Sequence, residues 1–311
     1  MKICNQKTLF LLLALCLLAG PMAAQIDYED HFTFFQANDL GRNGYYDQKP
    51  IAETMGRMAE EIGPEFVAAI GDVHHFEGIR SVSDPLWMTN YELIYAHPEL
   101  MIPWYPVAGN HEYRGNVGAC IDYSAVSRRW EMPARYYTKT YAEEGTTIRL
   151  VWLDTTPLID KYRTNADTYP EATEQDRNRQ LAWLDSVLTA AKEDWVIVFG
   201  HHPIYAGTPK SESERTDMQK YVGSVLNRHR VDIYSCGHIH NFQHLRLPAG
   251  GDTDYLVNSS ASLSRPVQPV EGTQFCSSEP GFSVFCINRA ELKVYFVDKT
   301  GKVLHTVTRT K

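Results

Sequence analysis

Short apolar runs, rich in β-branched and aromatic side chains, recur along the chain and are separated by polar or glycine-containing stretches. Runs of this length and composition predict strands that are buried on both faces. The predicted strands are residues 32–35, 66–70, 104–108, 148–153, 195–199 and 231–234. Helical periodicity lies between several of them, at 51–62 and at 175–192, where Leu181, Leu184 and Leu188 share one face. Alternating strands and helices predict an α/β fold, with helices covering the sheet.

The pattern changes after residue 250. The apolar runs at 255–258, 282–288, 292–298 and 303–307 follow one another without intervening helices. We expect these strands to form a second, antiparallel sheet. Segments 160–174 and 264–281 show no clear period, and we expect both to be surface loops that border a functional site.

The first residues have the pattern of a secretory signal peptide. Lys2 and Lys7 precede an apolar run at 9–18, which is followed by Gly20 and Pro21 and then by small residues up to Ala24. This pattern predicts cleavage near Ala24 and a secreted or periplasmic protein. A lipoprotein signal at Cys16 is the alternative, although Leu15 is larger than the residue expected before such a cysteine.

The remaining residues, 25–311, predict a single domain without a membrane span. Removal of Lys2 and Lys7 with the leader changes the net charge from −8 to −10. A surface of this sign disfavours binding to nucleic-acid backbones. We expect a monomer that acts on a small molecule.

Four cysteines remain in the exported chain, too few for a disulfide scaffold. Cys276 and Cys286 could form a disulfide bond. Cys236 lies in an apolar run and is interpreted as a buried free thiol. The sequence does not define the connectivity.

Polar residues suited to metal binding or proton transfer follow five of the predicted strands. Because the carboxyl ends of parallel strands meet at one edge of a sheet, we expect these residues to converge. A glycine precedes several of them, and we expect it to supply a left-handed turn after the strand. The residues are Asp39; Asp72, His74 and His75; Asn110 and His111; His201 and His202; and His238 and His240.

Carboxylate, amide and imidazole groups together suit iron, zinc or manganese. A carboxylate such as Asp72 can bridge two ions at the spacing that suits phosphoryl displacement. Each residue alone also has an ordinary interpretation, as a helix cap, a turn former or a structural histidine. The joint pattern in five loops favours the metal site.

These motifs resemble those of the calcineurin-like metallophosphoesterase superfamily, and most closely those of the small, tartrate-resistant type of purple acid phosphatase. The resemblance extends from about Phe32 to the C-terminus. It rests on the order of the Gly-Asp, Gly-Asn-His-Glu, Gly-His and Gly-His-x-His motifs. Further similar segments are 103–112, 124–130, 153–155 and 180–184. The resemblance implies a four-layer α/β/β/α sandwich of two mixed β-sheets flanked by helices.

The resemblance also implies two metal ions per chain and residue roles. One ion would be bound by Asp39, Asp72, His75 and His240, and the other by Asp72, Asn110, His201 and His238. A metal-bound hydroxide would attack phosphorus in line. Asn110 would stabilise the phosphoryl oxygens, while His111 would bind phosphate or protonate the leaving oxygen. His202 is a second candidate acid, with a structural hydrogen bond as the alternative.

Two residues differ from the family pattern. His75 stands where the purple enzymes have a tyrosine ligand, and Asn38 replaces a glycine. A neutral imidazole in place of a phenolate lowers the negative charge at the first metal, so we expect a preference for divalent zinc, manganese or ferrous iron and a colourless protein. His74 is the alternative ligand, and no counterpart of the family's additional substrate histidine is evident near Lys210.

The leading hypothesis is therefore an exported acid-phosphatase-like hydrolase of phosphate monoesters. A phosphodiesterase or nucleotidase on the same core is one alternative, and a catalytically silent binding scaffold is another. The other histidines, including His31, His97, His229 and His305, are expected to have surface or packing roles. His244 follows the last ligand loop closely enough to deserve separate attention.

Overall fold

A computed structural model describes residues 26–143, 145–210 and 212–311. The predicted signal peptide and its alternative cysteine lie outside these ranges. The described strands are β1 (Phe32–Ala37), β2 (Val67–Ile70), β3 (Trp104–Val107), β4 (Tyr137–Glu143), β5 (Thr146–Leu153), β6 (Trp195–Gly200), β7 (Ile233–Cys236), β8 (Phe242–Leu245), β9 (Asp254–Val257), β10 (Thr273–Ser277), β11 (Gly281–Ile287), β12 (Glu291–Asp298) and β13 (Val303–Thr310). The α-helices are α1 (Gln48–Ile62), α2 (Val117–Asp122), α3 (Asp160–Arg163), α4 (Pro170–Glu174), α5 (Arg177–Ala190), α6 (Glu212–Met218) and α7 (Ser224–Leu226), with π-helical turns at Met88–Glu92 and Gln219–Gly223.

Two mixed sheets form the centre of the fold. The first has the order β13-β12-β11-β1-β2-β3, and the second has the order β10-β8-β9-β7-β6-β5-β4. The parallel strands β1, β2 and β3 are adjacent in the first sheet, and β5, β6, β7 and β9 run parallel in the second. The carboxyl ends of these parallel strands carry the predicted ligand loops.

Alternate side chains of each central strand enter different cores, as the two-residue period of a strand requires. Phe34 of β1 lies in the core between the sheets, where its ring stacks on Phe285 at a centroid distance of 4.5 Å and meets Phe199 of the second sheet edge-on. Phe35 points the other way and joins Met55 of α1 in the outer core. Helices cover both outer faces, which confirms the α/β class and the four-layer α/β/β/α sandwich with two mixed β-sheets.

The predicted strands before residue 250 are confirmed, with boundaries that differ by at most two residues. The expectation of an antiparallel second sheet after residue 250 is wrong. Strands β11, β12 and β13 extend the first sheet from the free edge of β1, and β9 joins the second sheet parallel to β7. An apolar pattern predicts a strand but not its neighbour, because pairing depends on which sheet edges the rest of the chain leaves open.

The two segments predicted as loops are more regular than expected. Segment 160–174 forms α3 and α4, and it buries Tyr162, Tyr169 and Ala172. Segment 264–281 includes β10, which pairs with β8 at the edge of the second sheet. Short elements with few periodic positions fall below what apolar spacing can detect, so both loop predictions were only partly correct.

All four described cysteines are free thiols. Cys236 is buried in β7, as predicted. Cys276 and Cys286 lie in different sheets and do not form the disulfide bond that was considered. Within the described ranges, no helix combines the length and apolar character needed to cross a bilayer.

Candidate metal centre

Five loops bring the predicted residues together where the carboxyl edges of the two sheets meet. The backbone N–H of Asp39 donates to the carbonyl of Gly71 (3.0 Å), which joins the β1 and β2 loops. The N–H of Gly237 donates to the carbonyl of His201 (3.0 Å), which joins the β7 and β6 loops. Nδ1 of His201 reaches the carbonyl of Ile70 (3.0 Å) and connects the two sheets. The site therefore lies between the sheets and not on one of them.

Asp39, His75 and His240 form one compact group, with their ligand atoms within 4.8 Å of one another. Nε2 of His240 lies 3.1 Å from Oδ1 of Asp39. His75 also lies near Asp72, with 3.5 Å between Nε2 and Oδ2. The group contains three of the four residues expected at the first metal, and Asp72, the fourth, lies beside it.

Asp72 also contacts the second group. Its Oδ2 lies 3.1 Å from Nε2 of His201, and the ligand atoms of Asp39, Asp72 and His201 form another compact set. His238 joins His201 and His202 in a neighbouring set. A single carboxylate thus contacts both groups, which is the position required of a bridging ligand.

Several buried ligand atoms lack any hydrogen-bond partner. They are Oδ1 of Asp39, Nδ1 and Nε2 of His75, Oδ1 of Asn110 and Nε2 of His201. A buried polar atom without a partner costs about 1–3 kcal/mol, so a group of them at one place calls for a ligand. Carboxylate oxygen, amide oxygen and imidazole nitrogen are the donors that iron, zinc and manganese accept, and the residues present therefore fit a metal centre.

The orientation of the imidazoles supports the same interpretation. Nδ1 of His240 lies 2.6 Å from the carbonyl oxygen of Leu263, and Nδ1 of His201 lies against that of Ile70. If each Nδ1 donates its proton to the carbonyl, each Nε2 presents a lone pair towards a carboxylate. Such an arrangement needs a cation between the two groups, and backbone contacts of this kind commonly orient metal-bound histidines.

The pKa values show how strongly the site favours positive charge. Burial by itself would lower the pKa of His201, but the Asp72 carboxylate outweighs burial and raises it to about 10. Burial would raise the pKa of the Asp39 carboxyl, yet His240 lowers it below its ordinary value. Because both carboxyls stay ionised in a buried setting, two negative charges are available to bind cations.

The backbone at the ligands adopts an uncommon conformation. Asp39, Asp72, His238 and His240 have φ values of 52°, 52°, 71° and 62°, all in the left-handed region. The prediction that the preceding glycines supply this turn is correct only for Gly71, with φ of 82°. The glycines before Asn110, His201 and His238 have negative φ and serve another purpose, since a Cβ at each would collide with a neighbouring loop.

Asn38, which departs from the family pattern, holds the first ligand in place. Its side-chain amide donates to Oδ2 of Asp39 (2.7 Å), and its oxygen accepts from the amide of Asn258 (2.6 Å). Asn258 in turn accepts from the hydroxyl of Ser283 (2.6 Å). The substitution therefore adds a buried polar chain that orients Asp39.

Glu112, the last residue of the Gly-Asn-His-Glu motif, supports the ligand loops from below. Its carboxylate accepts from the backbone N–H groups of Asp72 (2.9 Å), Gly109 (2.7 Å) and His74 (2.9 Å). Burial, reinforced by the charge of Asp72, raises the pKa of Glu112 to about 7. Glu112 thus ties the loops after β2 and β3 together beneath the ligands.

The structure separates the two alternatives for the β2 loop. His75 lies against Asp72 and Asp39, whereas His74 lies away from them, edge-on to Trp87 at 4.5 Å and near Asn90. Burial lowers the pKa of His74 to about 3. This geometry favours His75 as the ligand and His74 as a packing residue.

The two candidate acids have different surroundings. His111 is partly exposed, its Nδ1 lies 2.6 Å from the carbonyl oxygen of Phe76, and its Nε2 lies 3.8 Å from Oδ2 of Asp72. His202 is fully buried, and its nitrogens contact the hydroxyls of Thr155 (2.8 Å) and Tyr162 (3.1 Å). Of the two, only His111 reaches solvent, with 15% of its side chain exposed. The contacts of His202 favour the structural alternative.

Sequence reasoning missed a buried acid at the second group. Oε2 of Glu214, in α6, lies 2.9 Å from Nε2 of His238. Oε1 of the same carboxylate accepts from Lys161 (2.6 Å) and from the hydroxyl of Tyr162 (2.8 Å). No apolar period or motif identifies Glu214, because its role depends on how α3 and α6 pack over the site. The side chain of His244 forms hydrogen bonds with Asp254 (2.7 Å) and His305 (3.0 Å), and not with the candidate metal ligands.

Comparison with known proteins agrees with this geometry. The model of the calcineurin-like phosphoesterase family matches residues 32–242. Purple acid phosphatase 3 of Arabidopsis thaliana is 30% identical over 294 residues, which cover 89% of this chain and 77% of that protein. The tartrate-resistant acid phosphatase type 5 of Oryctolagus cuniculus is 30% identical over 276 residues, 81% of each chain.

A solved structure with a similar fold is GAP50, the anchor in the inner membrane complex of Plasmodium. It superposes with a TM-score of 0.76 and 22% identity, over 90% of this chain and 89% of that one. At this level of identity the likeness concerns the fold alone.

Proposed function

Since this chain belongs to the calcineurin-like phosphoesterase family, whose members are metal-dependent hydrolases, we propose that it is a dinuclear-metal phosphatase acting on phosphate monoesters. The observation that carries the proposal is the set of buried, unpartnered ligand atoms supplied by loops of both sheets. A silent scaffold would have no need to keep such atoms together.

Each metal site is assigned four residues in the proposal. Asp39, Asp72, His75 and His240 hold the first ion, and Asp72, Asn110, His201 and His238 hold the second. Two bound divalent ions would activate a water molecule and neutralise charge on the phosphoryl oxygens. Zinc, manganese or ferrous iron suits the first site, because His75 is a neutral ligand.

The remaining residues act on the substrate directly or through the ligands. In this proposal the Asn110 amide orients the phosphoryl group, and protonated His111 donates a proton from Nε2 to phosphate or to the leaving oxygen. His111 is held by two contacts, from its Nδ1 to Phe76 and from its backbone N–H to Oδ1 of Asp72 (2.9 Å). His202 serves as a positioning residue through Tyr162.

We also propose that the enzyme is exported and works outside the cytoplasm as one domain spanning residues 25–311. The basic and apolar pattern of residues 1–24 supports export. The core shared by both sheets supports the single domain, because neither sheet buries its inner face without the other.

Hydrolysis by purified protein loaded with zinc, manganese or iron tests the function. We expect phosphate release from p-nitrophenyl phosphate that is much faster than release of p-nitrophenol from bis(p-nitrophenyl) phosphate. Asp72→Asn should abolish hydrolysis and lower bound metal, whereas Asp252→Asn, at an exposed position, should do neither.

Two results would contradict the proposal. Faster cleavage of the diester would indicate the phosphodiesterase alternative. Less than about one metal ion per chain after reconstitution, together with no hydrolysis of either compound, would indicate a binding scaffold.

A further inference from the structure

Arg42 is a buried cation near the metal centre that forms no direct ion pair within the described residues. Only 6% of the residue is exposed, and its Nε has no hydrogen-bond partner. Within the described residues its guanidinium forms no ion pair and no hydrogen bond, although it carries a full charge. A buried charge without a partner is costly, so this position needs an anion.

The guanidinium lies at the rim of the site. Arg42 follows Asp39 by three residues, and its Cζ lies 4.8 Å from the ring centroid of Phe76. Phe76 is 60% exposed, and its ring lies 6.1 Å from that of His75 and 6.2 Å from that of His111. Arg42 therefore packs on an exposed ring that also lies near His75 and His111.

Arg265 adds a second positive charge to the same area. Its backbone N–H donates to the carbonyl of His240 (2.7 Å), and its half-buried side chain likewise forms no ion pair among the described residues. Burial lowers the pKa of Arg42, the carboxylates of Asp39 and Asp72 raise it, and the charge of Arg265 lowers it further. The two guanidinium groups are therefore close enough to repel each other.

The carboxylates that raise the pKa of Arg42 are those of Asp39 and Asp72, both of which are proposed metal ligands. Once those carboxylates bind cations, they no longer balance the guanidinium. The transferred phosphoryl group is already assigned to the metals, Asn110 and His111. An anion beyond that group would satisfy the unbalanced charge at the rim.

We propose that Arg42, assisted by Arg265, binds a second anionic group carried by the leaving group of the substrate. This inference rests on the proposed phosphatase function and specifies its substrates. It favours phosphoanhydrides, or esters whose leaving group bears a phosphate or carboxylate, over esters with an uncharged leaving group. A guanidinium group is suited to this role because its planar N–H donors can form bidentate hydrogen bonds with a phosphate or a carboxylate.

The experiment compares three substrates with one variant series. Phenyl phosphate has an uncharged leaving group, 4-carboxyphenyl phosphate carries a carboxylate, and pyrophosphate carries a second phosphate. Arg42→Met keeps the aliphatic stem against Phe76 but removes the charge, and Arg42→Lys keeps the charge without the planar fork. Arg128→Met, at an exposed position, is the matched control.

We expect Arg42→Met to reduce kcat/KM for pyrophosphate roughly tenfold to a hundredfold more than kcat/KM for phenyl phosphate, the loss of charge-assisted hydrogen bonds. Arg42→Lys should give a smaller discrimination, and Arg265→Met should act in the same direction. We expect kcat/KM to fall further for one of the two charged substrates, and that substrate identifies whether a carboxylate or a phosphate is recognised. Calorimetry with methylenebisphosphonate, a non-hydrolysable analogue of pyrophosphate, should show weaker binding at unchanged metal content.

Three outcomes would overturn the inference. If kcat/KM falls equally for all three substrates, Arg42 binds the transferred phosphoryl group instead. If the variant binds less metal, Arg42 belongs to the metal site. If neither kcat/KM nor metal content changes, Arg42 has only a structural role. If the wild-type protein hydrolyses none of the compounds, the phosphatase function itself fails, and this result is distinct from the other three. Circular dichroism shows whether the Arg42 variants are folded. If they are not, Arg265→Met tests the same inference at a second residue.

Discussion

Oε2 of Glu214 lies 2.9 Å from Nε2 of His238, so that the other ring nitrogen of this histidine is the one left for a metal ion. The carboxylate is 1% exposed and is fixed by Lys161 and Tyr162. A carboxylate that accepts from a metal-bound histidine fixes the ring orientation and increases its basicity. The proposed second metal site therefore includes a contact from α6, an element outside all five ligand loops.

Glu214→Gln should weaken binding of the second metal by roughly tenfold to a hundredfold, because the neutral amide no longer polarises His238. Equilibrium dialysis followed by elemental analysis measures the change. Glu212→Gln is the matched control, since Glu212 lies in the same helix but is exposed. Equal metal affinity in the two variants would show that Glu214 does not support His238.

His75→Tyr should give the iron-loaded protein a visible charge-transfer band that the wild-type protein lacks. The reason is that the wild-type first site offers imidazole where the purple enzymes have phenolate. Absorption spectra of both proteins, loaded under the same oxidising conditions, measure this difference. His74→Tyr is the control and should remain colourless, because His74 lies against Trp87. A band in the wild-type protein would refute the assignment.

Asn38→Gly, which restores the family residue, should lower the free energy of unfolding of the metal-free protein by about 2–3 kcal/mol. The change removes the hydrogen bond to Asp39 and the shorter of the two bonds that the buried amide of Asn258 donates, which leaves only its 3.3 Å contact with the Gln36 carbonyl. Urea unfolding measures the loss. In a double-mutant cycle with Asn258→Ala the two losses should not add, and strict additivity would argue against a coupled pair.

His305 should make the protein less stable in mild acid. Burial and the neighbouring His244 lower its pKa from 6.5 to about 4. Between these values the unfolded chain binds the proton more readily than the folded chain, so stability is lost as the pH falls from about 6.5 towards 4.

His305→Gln keeps a hydrogen-bonding group near His244 but cannot titrate, so its stability should depend less on pH over this interval. Urea unfolding at several pH values provides the comparison, with His229→Gln as the control at a partly buried site on another surface. Parallel pH profiles for wild type and His305→Gln would contradict the prediction.

The sequence predicts the strands and the ligand loops well because both depend on local signals. A continuous apolar run predicts a buried strand, and the polar residue that follows it marks the edge of the sheet, as at Asp72 and His201. The neighbours of β11, β12 and β13 were not predictable in this way, because they depend on the open edge of β1.

Residues that act from a distance leave no comparable signal. Glu214 meets His238 across 24 positions of the chain, through the packing of α6 against α3, and Arg42 stands in a loop where an arginine is unremarkable in sequence. Their roles become visible only from burial and from the absence of other partners. Glu112 is partly predictable. The motif identifies the residue, but not the three backbone N–H groups that donate hydrogen bonds to its carboxylate.

The left-handed backbone at Asp39, Asp72, His238 and His240 has an evolutionary consequence. Each of these conformations costs about 1–3 kcal/mol in a residue other than glycine, a cost that the proposed metal ions would offset. A descendant that no longer needed the reaction would gain stability by replacing such a residue with glycine. In this fold, substitutions that abolish catalysis can therefore increase the stability of the folded state. A stable protein without activity is only a few substitutions away.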